Sequence, residues 1–240
     1  MNQAAGSGPQ LVITGDGSPT LYSPRFDATY HSRYSAIDET EHVYVEAGFR
    51  AWLRAHPSCQ RPVDVFDLGL GTGLNCLLTV RAAGALGVAV SYTAVEAYPV
   101  PSAVVTQLDY AEQMPDFPAA EVLASVHAAA AAEMLSLQPG FAFRWEASLF
   151  QDYDAPAASV DVFYYDAFAP RNQPELWDRE ILARARRLIR PGGILVTYCA
   201  RGQVRRDLAS LGFVVKSLPG AGTKREMTQA ILPDDDCLPT

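Results

Sequence analysis

No apolar run in the chain approaches the roughly 18 residues that a helix needs to cross a bilayer, which excludes a helical membrane span. Cysteine is scarce: Cys59, Cys76, Cys199 and Cys237 are far apart and form no CxxC pair, and the four histidines show no metal-ligand spacing. Neither a metal site nor a disulfide framework is expected. The opening residues MNQAAGSGPQ lack the basic segment and apolar core of a signal peptide, so a flexible tail and a cytoplasmic location are expected. Internal repeats are missing, and the one low-complexity stretch, HAAAAAEML, reads as part of an alanine-rich helix. Positive charge is in deficit, with 19 Lys and Arg against 27 Asp and Glu and a net charge of −8. That excess of acid argues against a polyanionic partner. Its distribution does not, because residues 171–230 hold 12 Lys and Arg against 5 acids, a net +7.

What remains is a soluble globular composition, 49% apolar and 19% charged, in 240 residues, enough for one domain with a sizeable core. The segment LVITGDGSPTLYS has two short β-prone runs around a Gly-Asp-Gly turn, a hairpin signal. An aromatic and acidic stretch follows, then a helix around 46–55. From Val63 strands and helices alternate. VDVFDLGL, VAVSYTAVEA, FAFRWEA, VDVFYYDAF and GILVTYCA read as strands, with helices over TGLNCLLTVRAAGAL, within 100–136, and over PELWDREILARARRLIR. GFVVKSL and REMTQAIL close the chain as a strand pair. This pattern predicts a doubly wound α/β domain with a mostly parallel sheet and an antiparallel edge. The expected divisions are a tail at 1–10, a hairpin and lid at 11–60, the α/β domain at 61–232 and a tail at 233–240.

DLGLGTGLN, residues 67–75, lies between the first buried strand and the first helix, where open α/β sheets bind ligands. It has no GKS or GKT of a P-loop, and its D-x-G-x-G-x-G spacing is not that of a dinucleotide motif. Glycines 69, 71 and 73 allow a ligand close to the backbone. The second strand ends at Glu96, where a carboxylate can bind both hydroxyls of a ribose. Glycine loop and acidic ribose ligand together fit S-adenosyl-L-methionine. Candidate cofactor contacts are Asp67, Gly69, Gly71, Gly73, Asn75 and Glu96, with Asn75 alternatively an early helix residue bonded to backbone.

In SPRFDATYHS, ETEHVYVEAGF, DLGLGTGLN, YDAFAPRNQPELW, RPGGILVTYCARGQVRRDL and KREM, the chain resembles the methyltransferases that complete 5-methylaminomethyl-2-thiouridine at the tRNA wobble position. These are the N-terminal domain of MnmC and its stand-alone form, MnmD. The resemblance runs from about residue 23 to 231. It implies a class I, Rossmann-like methyltransferase fold with a seven-stranded sheet and an N-terminal lid. It implies S-adenosyl-L-methionine as cofactor and the tRNA anticodon stem-loop as partner, with no metal and no membrane. No second dinucleotide motif is present, so the methyl-transfer half alone is implied, without the flavin oxidoreductase domain.

Transfer from a sulfonium to an amine is an in-line displacement that needs a free, aimed nitrogen lone pair. Asp166, at the end of the fourth strand, is the candidate for binding the amine, either taking its proton or only aiming the nitrogen. Phe168 offers an aromatic surface for the base. The related enzymes' adenine contact maps onto Glu146 and Ala147, although this chain has Trp-Glu-Ala where the family has Gly-Asp-Ala. Tyr30, with Tyr44 and Glu46, falls in the lid. Glu226 of KREM is a candidate for lining the acceptor pocket or for a structural ion pair. Arg201, Arg205, Arg206, Lys224 and Arg225 are the candidate phosphate contacts. An aminopropyl transferase, a small-molecule amine methyltransferase and a non-catalytic nucleotide-sensing module remain as alternatives.

Overall fold

The structure, a computed structural model, describes residues 8–234. Most of the two expected tails, with Cys237, lies outside the described residues. The N-terminal hairpin forms as β1 (Gln10–Ile13) and β2 (Pro19–Ser23), and β3 (Ala28–Thr29) extends it to three antiparallel strands. The helix expected at 46–55 begins ten residues earlier. It runs as α1 (Ala36–Thr40), a wider π-helical stretch Glu41–Arg50, and α2 (Ala51–Ala55). Ser35 starts it: its hydroxyl accepts the Asp38 N–H at 2.9 Å, the capping pattern of a serine three residues before an acid.

The main sheet contains β4 (Val63–Leu68), β5 (Val90–Val95), β6 (Leu135–Gln138), β7 (Phe141–Glu146), β8 (Val160–Tyr165), β9 (Ile189–Thr197), β10 (Val214–Pro219) and β11 (Glu226–Ile231). Their order is β10-β11-β9-β8-β4-β5-β7-β6. Strands β7, β5, β4, β8 and β9 are parallel, and β11 returns antiparallel beside β9. The expected seven-stranded arrangement is therefore present, with an eighth strand added: β6 folds back on β7. Its first two residues, Leu135 and Ser136, fall in the stretch expected to be helical, and the strand is Leu-Ser-Leu-Gln. The strand residues alternate apolar and polar before the Pro139-Gly140 turn, and α4 (Ser102–Val105) and α5 (Ala119–Ala128) end well before them. Strand β9 also begins early, so Pro191-Gly192-Gly193 lies inside it.

Both sheet faces are covered, which is why VDVFYY in β8 is buried at every position. The helical run 36–55, α3 (Leu74–Leu86) and α5 cover one face. Helices α6 (Arg179–Leu188) and α7 (Gly202–Ser210) cover the other, burying Leu182, Ala185, Leu188, Val204 and Leu208 while Arg187 and Arg206 between them are exposed. Gly48 sets how closely the first helix lies on the sheet. A Cβ there would fall 2.9 Å from Val196 Cγ2 and 3.1 Å from Tyr164 Cε1.

Gly48→Val is accordingly expected to push the helix off the sheet and to lower stability by about 1–3 kcal/mol. Thermal and urea denaturation will measure this; an unchanged midpoint would show that the helix can slide without loss of packing.

Candidate functional site

The chain leaves β4 toward β5 on one side and reaches β8 on the other, so the sheet order reverses between β4 and β8. Leu68 lies opposite Tyr165 in register, and the residues that follow, Gly69 and Asp166, open together onto a cleft of about 630 Å³. Gly69 has φ 101°, and a Cβ there would meet the Asp166 carbonyl oxygen at 3.1 Å. The two strand ends can approach this closely only because position 69 carries no side chain.

Asn75, in the first turn of α3, joins two carboxyl groups. Its Nδ2 donates to Asp166 Oδ2 at 2.9 Å and to Asp67 Oδ1 at 3.2 Å. The Tyr92 hydroxyl donates to the other Asp67 oxygen at 2.6 Å, and the Tyr44 hydroxyl donates to Asp166 Oδ1. Asp67 is thus wholly buried behind the cleft and acts through Asn75 rather than facing a ligand, as had been expected of it. Burial pushes the Asp67 carboxyl well above the usual range, and the nearby Asp166 charge adds to this. Asp166 is raised to about 6, chiefly by burial, against the hydrogen bonds from Tyr44 and Asn75.

Glu96, at the end of β5, accepts the N–H of Gly71 at 3.0 Å and of Tyr98 at 2.7 Å. Gly71 of the glycine loop fixes one carboxylate oxygen and Tyr98 the other, which holds the carboxylate at the cleft lining. Burial raises its pKa, opposed by those backbone N–H groups. Gly71 faces the ring of Tyr30, which packs edge-on against Phe168 with centroids 5.0 Å apart. Phe168 also stacks on Phe26 at 4.5 Å. Its backbone is held on both sides: Gln173 Oε1 accepts its N–H at 3.2 Å, and Trp177 Nε1 donates to its carbonyl at 2.7 Å. The motif DAFAPRNQPELW therefore carries the clamp for its own aromatic residue.

Other candidates stand elsewhere. Gly73 does not line the cleft; it gives α3 close approach to Leu123 and His127 of α5. Glu146 and Ala147 also lie outside it, the Glu146 carbonyl being taken by the Glu96 N–H at 3.0 Å. The wall expected of them is formed by Ser148 to Gln151, where Ser148 Oγ and Gln151 Oε1 are buried with no partner among the described residues. Two buried polar atoms awaiting a partner, a fixed carboxylate and a backbone cradle form a donor and acceptor set that suits a nucleoside. Glu226 is exposed on β11 and pairs with Arg205 at 2.8 Å, outside the cleft. Arg205 is not a free cation either, because it also donates to Thr228 Oγ1 and the Met227 carbonyl. Arg201, Arg206 and Arg225 are exposed and away from the cleft lining. Lys224 does reach the cleft, paired with Glu39 and 4.2 Å above the Tyr198 ring. Glu46 turns away to Arg54 at 2.7 Å.

Sequence reasoning missed Glu39, Tyr198, Ser148 and Gln151. The serine cap at Ser35 was the available signal for Glu39; nothing local marks the other three. Among the described residues no group of three or more His, Cys, Asp or Glu is arranged to hold a metal ion, and no helix is long and apolar enough to cross a membrane.

A family model described as S-adenosyl-L-methionine-dependent methyltransferase matches residues 146–233. The chain is 36% identical over 226 residues to the tRNA 5-methylaminomethyl-2-thiouridine biosynthesis bifunctional protein MnmC of Magnetococcus marinus, covering 89% of this chain and 32% of that protein. It is 31% identical over 238 residues to the MnmC of Cupriavidus necator, covering 91% and 34%. The chain thus spans about a third of the length of these relatives. The crystal structure of MnmC2 from Aquifex aeolicus superimposes with a TM-score of 0.75 at 23% identity, over 96% of this chain and 72% of that one, which establishes the shared fold.

The raised Asp166 carboxyl has a consequence for stability. Its folded pKa, about 6, lies above the value of about 3.9 for a free carboxyl. The native state therefore binds more protons than the unfolded state between these values, and stability is lost as pH rises through that window. Asp166→Asn is expected to raise the melting temperature more at pH 8 than at pH 4, read by thermal unfolding. Equal shifts at both pH values would show that the carboxyl is not destabilised by burial.

Proposed function

The chain belongs to the S-adenosyl-L-methionine-dependent methyltransferases, and from this premise we propose that it methylates the amine of 5-aminomethyl-(2-thio)uridine at the tRNA wobble position, giving 5-methylaminomethyl-(2-thio)uridine. The observation that carries the reading is Asp166: a carboxylate at a strand end, gripped by Tyr44 and Asn75, beside an aromatic surface and across the cleft from a nucleoside-type cradle. The biosynthetic role for which the MnmC relatives are named supports tRNA as the substrate. Such a protein would work in the cytoplasm, where tRNA is modified.

Residues of this chain fit each task. Glu96 and the backbone of Gly69 and Gly71 would hold the ribose and the adjoining methionine end, and Ser148 and Gln151 the adenine edge. When bound, the cofactor supplies an electrophilic methyl group on sulfur. An aminomethyl group arrives mostly as an ammonium and must lose one proton before its nitrogen can attack. The Asp166 carboxylate accepts that proton, or a hydrogen bond from the same N–H, with the Ala167 carbonyl as second acceptor. Tyr44 and Asn75 fix the carboxylate oxygens, so the nitrogen lone pair points along one line. The nitrogen would then take that methyl group, its C–N bond forming as the C–S bond breaks, and the product would leave as a secondary ammonium while the sulfonium becomes a neutral thioether. Phe168, clamped from both sides, gives the base a face to stack on once it is splayed out of the anticodon loop. Phosphates flanking that base meet the cleft rim, where Arg33 and Arg171 have the place first expected of Arg205.

Nucleoside mass spectrometry of tRNA carrying 5-aminomethyl-2-thiouridine, after incubation with the protein and S-adenosyl-L-methionine, is expected to show the gain of one methyl group. No gain would overturn the reading. Asp166→Ala should lower kcat by about 10²–10⁴ while cofactor affinity stays within a few-fold; a matching loss of cofactor affinity would assign Asp166 to the cofactor side. The acid limb of kcat/KM should turn near pH 6, the value of the carboxyl that must be ionised.

A further inference from the structure

Lys224 was grouped with the phosphate-binding arginines, and the cleft gives it another environment. Its ammonium is paired with Glu39, a carboxylate that is itself 7% exposed and held by the Ser32 N–H at 2.6 Å. The same ammonium lies 4.2 Å above the ring of Tyr198. The Tyr198 hydroxyl donates to the Ala167 carbonyl at 2.9 Å, which fixes this ring, and the cation stacked on it, beside the Asp166–Ala167 strand end. A lysine ammonium has three N–H groups and no acceptor. Glu39 takes one and the ring face engages another, leaving one donor for the cleft that both Lys224 and Asp166 line.

We propose that Lys224 reads the C4 position of the pyrimidine, donating to a carbonyl oxygen there and rejecting an amino group. The inference rests on the acceptor being a 5-aminomethyl pyrimidine. In such a base the C4 substituent is on the ring carbon next to the one bearing the aminomethyl arm. With that amine at Asp166, the C4 group faces the same wall, which is where Tyr198 and Lys224 stand. Uracil presents an acceptor at C4 and cytosine a donor. A lysine donor pairs with the first and meets the second donor to donor, with no acceptor of its own to offer. Glu39 and Tyr198 restrict where the cation can go, so it cannot swing away to accommodate a cytosine. Lys224 is in this sense a specificity residue of the acceptor pocket.

The test uses two anticodon stem-loop RNAs that differ only in carrying 5-aminomethyluridine or 5-aminomethylcytidine at the acceptor position. The wild-type protein is expected to favour the uridine RNA in kcat/KM. Lys224→Met is expected to lose about 10–100-fold on the uridine RNA, the worth of one charge-assisted hydrogen bond, and little on the cytidine RNA, so that the preference collapses. Lys224→Arg, which retains a donor, should keep the preference. An unchanged ratio in Lys224→Met, or equal losses on both RNAs, would overturn the proposal while leaving the methyltransferase reading intact. A wild-type protein that binds S-adenosyl-L-methionine yet methylates neither RNA would overturn that reading and this one with it. Should Lys224→Met fail to fold because Glu39 is left unpaired, the double variant Glu39→Gln/Lys224→Met removes both charges and carries the same comparison.

Discussion

The site depends on one amide. Asn75 holds Asp67 and Asp166 on the same Nδ2, and these acids end two neighbouring parallel strands, β4 and β8. Two buried carboxylates this close cannot both ionise without large repulsion, and the amide hydrogens are what let them share the space. Tyr92 takes up Asp67 from behind, and Tyr44 takes up Asp166 from the first helix. The consequence is a division of roles between chemically identical groups. The deeper acid is closed in by Tyr92 and Asn75 and is structural; the outer one, its pKa raised to about 6 by burial, opens onto the cleft.

That arrangement explains why the N-terminal segment is part of the site and not an appendage. Tyr44 reaches Asp166 from the π-helical stretch Glu41–Arg50, a rare geometry that recurs at functional positions. Gly48, four residues on, allows the same stretch to lie directly on β8 and β9. Glu39, just before it, holds Lys224. One helical run therefore places a hydrogen-bond donor on the Asp166 carboxylate and an anchor on the Lys224 cation, and both depend on how closely the helix seats.

The parts of this structure that were legible in the sequence are those with short-range causes. Buried parallel strands show as apolar runs, and VDVFYY did; a glycine loop after such a strand and an acid at the end of the next mark a nucleoside cradle, as 69–71 and Glu96 do. Asp166 and Phe168 could be read because the strand, the loop and the clamp residues Gln173 and Trp177 lie within one motif. The errors concern long-range partners. Arg205 looked like a phosphate contact and Glu226 like either a pocket acid or half of an ion pair; the two are 21 residues apart and form that ion pair with each other. Glu146 was placed by analogy with a strand end, whereas its carbonyl is spent on the Glu96 N–H and the cleft wall begins two residues later. Strand β6 was hidden by its alanine-rich neighbours, since helix propensity there is overridden by a hairpin that only pairing with β7 makes worthwhile.

The same distinction bears on how an acidic protein would hold the polyanion of the proposed reaction. The +7 of residues 171–230 is real as a count, but part of it is consumed inside the fold and the exposed Arg201, Arg206 and Arg225 lie away from the cleft lining. Arg205 holds β11, Arg184 donates to the Phe150 and Tyr153 carbonyls, and Arg190 bonds Asp64 and Asp161. A guanidinium whose donors are taken by buried acceptors contributes little to phosphate capture, because binding would require those acceptors to be abandoned. What counts is the charge left at the cleft mouth, where Arg33 and Arg171 stand and Lys224 faces inward. Long-range attraction from so few rim cations on a net acidic surface is weak and screened by salt within about 8–10 Å. On the proposed reading, selectivity for the nucleotide would come from inside the cleft, from the stacking face of Phe168 and the donors and acceptors around Asp166, and not from the general pull of a basic surface.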